Sequence, residues 1–268
     1  MIDGALPYLR CPVCEQSLAR FDGSLRCVRG HSFDLAKQGY ANLTAGRAPH
    51  SGDTVAMIAD RAAFLAAGHY DFIAGALLGH AAAGGLVLDA GTGTGYYLAR
   101  MLDAAPAAAG LGVDVSKPAL RRAARSHPRA AAVLADLWRP LPVADAAATV
   151  ILNVFAPRNG AEFHRVLRPD GVLVVVTPAP DHLTELIAAH GLIQVDPDKA
   201  ARVEESLGTR FKPAETATLR RTLRLTAAET QTLIGMTPSA HHAPSTPHPA
   251  PATTVVTAAV TVTAYHPT

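Results

Sequence analysis

Residues 86–96 read Leu-Val-Leu-Asp-Ala-Gly-Thr-Gly-Thr-Gly-Tyr. This is an apolar strand that enters a glycine-rich turn and is followed at once by a helix, the place where doubly wound α/β sheets bind nucleotides. The glycines fall at every second position, and Tyr96 stands where a dinucleotide fingerprint has its third glycine. The loop therefore argues against a nicotinamide cofactor, and a dehydrogenase is the least favoured reading.

Short apolar runs alternate with helical segments around this loop, and such alternation predicts a mostly parallel sheet covered by helices. The predicted strands are 86–89, 111–114, 132–135, 149–154, 172–177 and, near the end of the chain, 254–265. The predicted helices include 54–67, 71–82, 96–103, 118–126 and 226–234. Residues 237–252 are rich in proline and histidine, and we interpret them as a loop rather than a metal-binding tract.

Three acidic residues at successive strand ends indicate which ligand the loop binds. Asp89 can receive the amino group of a methionine, while Gly91 and Gly93 let the backbone approach its carboxylate and the ribose. Asp114 can accept both ribose hydroxyls, and Asp136 can face the adenine. The pattern predicts S-adenosylmethionine, a cation with an amino-acid tail. We assign to the same site the neighbouring loop and helix residues Thr92, Gly95, Tyr97 and Leu98.

All three cysteines of the chain lie in one short segment, as Cys11-x2-Cys14-x12-Cys27-x3-His31. Three thiolates and one imidazole are the ligands that tetrahedral Zn²⁺ prefers. Four protein ligands leave no position for water, so the spacing predicts a structural zinc ion that folds a segment too small for its own core. The alternative is three free buried cysteines and a surface histidine.

Basic and aromatic residues surround the predicted zinc ligands. Guanidinium groups can pair with phosphates and aromatic rings can stack on bases, which predicts RNA binding; a solvated charged face is the alternative. The basic residues are Arg10, Arg20, Arg26, Arg29, Lys37 and Arg47, and the aromatic ones are Phe21, Phe33 and Tyr40.

Composition sets the remaining limits. With 268 residues, 49% of them hydrophobic, and a net charge of +2, the chain can bury a medium-sized domain and carry a small module. It has neither a basic-then-apolar leader nor about eighteen uninterrupted apolar residues, so we expect a cytoplasmic protein with no membrane contact. We predict a zinc-binding RNA-recognition module over 1–48, a helical linker and cofactor-pocket lid over 49–84, and a catalytic domain over 85–268, with the boundary near His50.

With both motifs in view, the chain resembles the bacterial 23S rRNA guanine-N1 methyltransferases of the RlmA type, and particularly their macrolide-resistance, TlrB-like branch. The resemblance covers nearly the whole chain and implies a Rossmann-like class I methyltransferase fold with a small N-terminal zinc-binding module. It also implies that the tyrosine of Gly68-His69-Tyr70 and the histidine His182 line the cofactor pocket. The supporting motifs are 11–14, 30–34, 39–43, 67–70, 89–97, 114–117, 153–159, 167–171 and 177–183.

Residues 153–158 look like those of the resistance branch, which implies a hairpin-loop guanine at nucleotide 748 as target and tylosin-type macrolide resistance as role. After Met236-Thr237-Pro238 the family usually has a tryptophan, whereas this chain has Ser239, so we expect part of the C-terminal pocket wall to differ.

The predicted catalytic residues are Asn153, which ends the fourth strand and can hydrogen-bond the base edge, and Phe155, which can stack on the base. The base must be extruded from its hairpin, and no residue is assigned as general base. The predicted partner is a 23S rRNA hairpin, and a homodimer is left open. One alternative is a zinc-ribbon methyltransferase acting on another RNA or a small molecule. Another is a non-catalytic RNA-binding protein on a dead methyltransferase fold, against which the intact loop argues.

Overall fold

The computed structural model describes residues 2–46, 52–241 and 252–268. The strands are β1 (Leu18–Phe21), β2 (Ser24–Cys27), β3 (Ser32–Asp34), β4 (Ala41–Asn42), β5 (Gly84–Ala90), β6 (Ala107–Asp114), β7 (Ala130–Leu134), β8 (Ala148–Val154), β9 (Leu167–Pro178), β10 (Phe211–Thr226) and β11 (Thr253–Pro267). The helices are α1 (Ile2–Ala5), α2 (Val55–Ala66), α3 (Asp71–Leu78), α4 (Tyr96–Ala104), α5 (Lys117–Ala123), α6 (Gly160–Val166), α7 (Thr184–His190), α8 (Lys199–Leu207) and α9 (Ala227–Gly235).

Eight strands form one sheet in the order β10-β11-β9-β8-β5-β6-β7-β4. The strands from β4 to β9 are parallel, and β11 and β10 add an antiparallel pair at one edge. Leu86, Val87 and Leu88 of β5 are fully buried because helices cover both faces of the central strands. Chain direction across the sheet reverses between β5 and β8, so the loop after β5 lies at the topological switch point.

The predicted α/β architecture is confirmed, and every predicted strand is present. Five of the six lie within longer observed strands, whereas the predicted strand 132–135 corresponds to β7, which begins earlier and ends at Leu134. The long strand β10 was not predicted. Most of its residues are exposed, so its sequence lacks the apolar alternation that marks a half-buried strand. It forms because β11 pairs with it from Phe211 opposite Pro267 to Thr226 opposite Thr253, a contact that only the folded chain supplies.

The zinc module is a three-stranded antiparallel sheet, β1-β2-β3, that packs directly on the large sheet. The backbone N–H of Arg10 donates to Pro142 O at 3.0 Å. Leu9, Leu18 and Leu25 are buried in the same apolar cluster as Leu88 of β5. The module therefore shares a core with the domain beside it.

The predicted boundary near His50 lies outside the described residues, as do Arg47, His242 and His248. β4, inside the segment predicted to be the zinc module, already pairs with β7 in the large sheet. The large sheet thus begins before residue 48. The sequence did not predict this strand, because two residues are too few to show a strand pattern. Across residues 2–46, 52–241 and 252–268, no helix has both the length and the apolar character needed to cross a bilayer.

Candidate functional site

The glycine-rich loop leaves β5 through left-handed backbone conformations. Gly91 has φ +85°, and a Cβ atom there would overlap the side chain of Ala156 from the loop after β8. Gly95 has φ +79° and precedes α4, and a Cβ atom there would come within 2.9 Å of Ala123 Cα. The backbone N–H groups of Gly91 and Thr92 donate to Val113 O at 2.9 and 3.0 Å. The loop is therefore anchored to β6 and can take only glycine at its tightest points.

The carboxylate of Asp114 is held by the loop. Gly93 N donates to Oδ2 at 2.9 Å and Ser116 N donates to Oδ1 at 2.8 Å. Burial raises the pKa of Asp114, while these two N–H donors lower it. Each oxygen keeps lone pairs, so the carboxylate can still accept a pair of ribose hydroxyls.

Asp89 is buried beneath the loop, with 1% of its surface exposed. Thr92 Oγ1 donates to its Oδ2 at 2.7 Å. Burial raises the pKa of Asp89 to about 7, opposed by the Thr92 hydroxyl and reinforced by the charge of Asp114. Thr92 lines the cleft and Asp89 does not, so this pair presents the threonine to a ligand.

A cleft of about 720 Å³ opens above the loop, a volume typical of small-molecule and cofactor sites. Most of the predicted site residues lie in its wall: Tyr70, Gly91, Thr92, Gly93, Tyr97, Asp114, Asp136, Phe155 and His182. Four predicted residues do not line it: Asp89, Gly95, Leu98 and Asn153. Leu98 is fully buried in the apolar cluster behind the loop, because it lies on the face of α4 that packs on the sheet.

Asn153 is fully buried at the end of β8. Its Nδ2 donates to Ala90 O at 3.1 Å and to Pro157 O at 2.8 Å, which ties the end of β5 to the loop after β8. Its Oδ1 is buried and has no hydrogen-bond partner among the described residues. The amide donors are thus committed to the backbone, and contact with a base edge stays a prediction.

Phe155 follows β8 with φ +52°, a conformation that costs energy for a side chain of this size. It is 43% exposed in the cleft. Its ring centroid lies 6.2 Å from that of Tyr70 and 5.9 Å from that of His182. The three rings form an aromatic group on one wall, able to stack on a planar ligand.

His182 is held in one protonation form. Ala259 N donates to its Nδ1 at 3.2 Å, so the neutral ring carries its hydrogen on Nε2, which lies 3.5 Å from Tyr70 Oη. Burial lowers the pKa of His182 to about 4, and burial raises the pKa of Tyr70 far above its usual range. Both side chains are therefore neutral at pH 7.

Other residues of the cleft wall were not predicted: Asp53, Arg61, Trp138, Arg158 and Lys199. Arg61 of α2 forms an ion pair with Asp53, and its Nη2 donates to Met236 O at 3.0 Å, so α2 is joined to α9 over the cleft. Trp138, the single tryptophan of the chain, is 57% exposed there. No periodicity or spacing marks these residues, because the fold alone brings them to one cleft.

Ser239 also lines the cleft, at the position where the sequence departs from the RlmA pattern. It is 6% exposed, and its Oγ accepts from Ile193 N at 3.1 Å. A serine therefore occupies the C-terminal pocket wall that was expected to differ.

Two buried polar atoms of residues in the cleft wall have no hydrogen bond from the described residues. They are Tyr97 Oη and Asp136 Oδ2, and the nearest cation to the latter is Arg139 Nε, in a long ion pair of 3.9 Å. Asp136 Oδ1 accepts from Trp138 N at 3.0 Å. Buried polar groups are rarely left unpaired, so these atoms fit a ligand that carries hydroxyl, amino or amide groups, as S-adenosylmethionine does.

The four predicted metal ligands come together. Their ligand atoms all lie within 4.8 Å of one another, with Cys14 Sγ 3.6 Å from Cys27 Sγ and His31 Nδ1 3.3 Å from Cys27 Sγ. A tetrahedral site with Zn–S bonds of about 2.3 Å separates neighbouring sulfur atoms by about 3.8 Å. Burial disfavours ionisation of Cys27, but hydrogen bonds from the backbone N–H groups of Arg29 and His31 and from the side chains of Cys14 and His31 together outweigh it and lower the pKa to about 6. The residues fit a structural zinc ion.

The predicted RNA-contacting aromatics around the zinc site divide into exposed and buried. Phe21 is 53% exposed, and the guanidinium of Arg26 lies 4.1 Å from its ring centroid. The prediction for Tyr40 is wrong, since Tyr40 is only 7% exposed and packs with Leu120 and Leu134 beneath the large sheet's edge. Phe33 is half-buried against the shared core.

Comparison with known proteins bears on both parts of the chain. Residues 9–50 match the family model described as "RlmA, N-terminal", and residues 87–171 match the one described as "Methyltransferase domain". A Micromonospora griseorubida protein named "Putative 23S rRNA (guanine-N(1)-)-methyltransferase" is 56% identical over 259 residues, 88% of each chain. A Streptomyces fradiae protein named "23S rRNA (guanine(748)-N(1))-methyltransferase" is 48% identical over 88% of this chain and 86% of its own. A Bacillus subtilis relative is 35% identical over 66% of each chain.

Proposed function

The chain belongs to the family of 23S rRNA guanine-N1 methyltransferases, and on that premise we propose that it methylates N1 of guanine 748 of 23S rRNA. The observation that carries the proposal is the cleft over the glycine loop, whose wall contains the aromatic group of Tyr70, Phe155 and His182. Tyr97 and Asp136 also line it, and their Oη and Oδ2 atoms are buried without a hydrogen bond from the described residues. A planar base and a polar methyl donor fit this combination.

Several residues of the loop side would hold S-adenosylmethionine, which supplies an electrophilic methyl group when bound. The Asp114 carboxylate would accept the ribose hydroxyls, and Asp136 would face the adenine. Thr92, with the buried Asp89 behind it, would bind the amino group of the methionine tail. Tyr70 and His182, both neutral, close the opposite wall of the cleft.

The target base would enter on the aromatic side. Phe155 stacks on it, and Asn153 positions Phe155 by holding the loop after β8 to the end of β5. Extruding a guanine from a hairpin costs on the order of a few kcal/mol, which stacking on the exposed ring of Phe155 offsets in part.

The zinc module would recognise the hairpin around the target. Its sheet carries Arg26 stacked on the exposed Phe21, a pair that can contact phosphate and base together. We keep the predicted division into an RNA-recognition module at 1–48, a linker and lid at 49–84, and a catalytic domain at 85–268 as part of this proposal. Arg61, within 49–84, lines the cleft and its Nη2 donates to Met236 O at 3.0 Å, which supports the lid assignment.

We further propose that the reaction takes place in the cytoplasm, where ribosomal RNA is available, and that methylation protects the ribosome from tylosin-type macrolides. The 48% identity to the Streptomyces fradiae guanine-748 enzyme supports nucleotide 748. A homodimer stays a prediction, and sedimentation of the protein with and without RNA measures it.

The test is methylation of unmodified 23S rRNA by purified protein and S-adenosylmethionine, mapped by reverse transcription. A methyl group on guanine N1 blocks Watson–Crick pairing and stops the transcriptase. We expect a methyl-donor-dependent stop at guanine 748 and none in the reaction without donor. A stop elsewhere would reassign the nucleotide. Donor binding without any stop would favour another RNA or a small acceptor, and no donor binding would favour a non-catalytic RNA-binding protein.

A further inference from the structure

Arg158 ends the loop that follows β8 and lines the cleft close to Phe155. It is only 9% exposed. Its guanidinium makes one hydrogen bond within the described residues, from Nη1 to Ala156 O at 3.2 Å. Its Nε is buried and has no hydrogen-bond partner among those residues. The guanidinium has five N–H donors, and most of them have no acceptor among the described residues.

The charge of Arg158 is also uncompensated. None of the ion pairs among the described residues includes it, and the residues outside the described ranges contain no aspartate or glutamate. Asp196, which also lines the cleft, pairs with Arg202 at 3.0 Å. Burial lowers the pKa of Arg158, and the pKa of Lys199 is lowered by burial and by the charge of Arg158.

Burying an unpaired cation costs several kcal/mol, so such a group persists where a ligand completes its pairing. That ligand must accept hydrogen bonds and carry or develop negative charge. The cleft offers the place, because Phe155 and Arg158 belong to the same short loop and Asn153 holds that loop through Pro157 O. The ring that would stack on the base and the guanidinium therefore belong to one loop, which Asn153 ties to the end of β5.

We propose that Arg158 reads the target guanine by donating two hydrogen bonds to its O6 and N7 atoms. This rests on the proposed function. The fork of a guanidinium matches these two acceptors, the commonest specific contact of arginine with guanine. Binding on the O6/N7 edge leaves N1 free to face the methyl donor.

The same contact assists the chemistry. N1 of guanine carries a proton at neutral pH, and as that proton leaves to solvent, negative charge collects on N1 and O6. A guanidinium hydrogen-bonded to O6 stabilises this charge as the N1–C bond forms and the sulfonium S–C bond breaks, after which O6 is again a neutral carbonyl oxygen. Adenine is rejected, because its N6 amino group would direct hydrogens at the guanidinium.

The experiment replaces one atom of the RNA. A 23S rRNA fragment is assembled with 7-deazaguanine, in which C–H replaces N7, at the target position, and its methylation is compared with that of the normal fragment. For the unaltered protein we expect kcat/KM to fall about 10- to 100-fold. On the normal fragment, kcat/KM of Arg158→Met should be lower than that of the unaltered protein by a similar factor. On the 7-deaza fragment, kcat/KM of this variant should fall by no more than about twofold further.

Two variants serve as controls. Arg158→Lys keeps the charge but loses the fork, and we expect it to retain less than about a tenth of the activity on normal RNA. Arg168→Met removes an exposed arginine that pairs with Asp170 outside the cleft, and we expect unchanged kcat/KM. Binding of S-adenosylmethionine to each variant shows that the donor site is intact.

Equal methylation of the two fragments by the unaltered protein would overturn the inference whatever the variants do. If Arg158→Met then raised KM and reduced the salt dependence of RNA binding, the partner of Arg158 would be a backbone phosphate. Failure to methylate even the normal fragment would instead count against the proposed function, so the two failures are distinct.

Discussion

The zinc module and the eight-stranded sheet reach their folded forms by different means. The module has three strands of three or four residues, and its shape is defined by four ligands that converge within 4.8 Å. The large sheet has fully buried central strands and needs no ion. Yet Leu9 and Leu25 of the module lie in the same apolar cluster as the large sheet. A metal can therefore set local geometry while shared packing sets the position of the module.

The largest effect is expected from removing the zinc site. Cys14→Ser should abolish zinc binding and reduce rRNA methylation about a hundredfold or more, because the module cannot fold without its metal. Affinity for S-adenosylmethionine should change by less than about threefold, since none of the ligands lines the cleft. Metal analysis, donor binding and methylation of 23S rRNA measure the three quantities.

Ser17→Ala is the control, since Ser17 is an exposed residue of the zinc module and is not a zinc ligand. It should keep zinc and activity. A zinc-free Cys14→Ser protein with full rRNA methylation would show that shared packing alone maintains the module. Loss of donor binding would show that the two regions fold as one unit.

Gly91→Ala should produce the next largest effect, now confined to the large domain. The left-handed φ of +85° and overlap with Ala156 should lower donor affinity about thirtyfold and the free energy of unfolding by about 1–3 kcal/mol. Calorimetric titration and urea unfolding measure both. Gly75→Ala, in α3 with open space around it, should keep affinity and add about 0.5–1 kcal/mol of stability. Equal effects of the two substitutions would contradict the strain argument.

Asn153→Ala should lower kcat about tenfold while donor affinity changes less than about threefold, because it releases the loop that carries Phe155 and Arg158. Two backbone carbonyls lose their donor, which should cost about 1–3 kcal/mol of stability. Asn42→Ala removes instead an exposed amide whose Oδ1 accepts from Thr44 N and Oγ1 outside the cleft, and it should cost less than about 1 kcal/mol without a change in kcat. Undiminished methylation by Asn153→Ala would remove its positioning role.

The smallest effect concerns pH. The pKa of His182 is about 4 in the folded protein and near 6.5 in the unfolded chain, so the unfolded chain binds the extra proton between these values. The stability that the neutral ring provides is present above pH 6.5 and is lost as pH falls toward 4. Asp89, with its pKa raised to about 7, acts in the opposite direction: as pH falls from 7 toward 4, its protonation in the folded state adds to the stability of the protein.

The contribution of His182 to the pH dependence of stability is measured by comparing the unaltered protein with a variant that lacks this histidine. Between pH 7 and pH 5, the unaltered protein should lose about 2 kcal/mol more unfolding free energy than His182→Asn, measured by urea unfolding at both pH values. Parallel pH dependence of the two proteins would mean that His182 is protonated in the folded state.

Prediction from sequence succeeded where the signal is local. The glycine loop and its preceding strand contain both halves of their pattern within eleven residues, and the metal ligands lie within 21 residues. Asp114 and Asp136 could be placed at the cleft because parallel strands end at one edge of a sheet. Leu98 shows the limit, since its position in sequence is beside the loop but the turn of α4 directs it into the core.

The strand β10, the contact of Arg61 with Met236, and the buried charge of Arg158 could not be predicted from the sequence. Each depends on residues distant in the chain: β11 for the strand, the end of α9 for Arg61, and for Arg158 the surrounding residues that exclude water from it.

The sequence by itself determined the kind of sheet, the ligand of the loop and the metal of the N-terminal segment, because glycine conformations, thiolates and apolar periodicity act over short distances. The tertiary structure alone decided which side chains face the cleft. Exposure and desolvation are properties of the packed chain, so whether Asn153 meets a base or a backbone carbonyl, and whether Arg158 has a counter-charge, depends on neighbours far away in sequence.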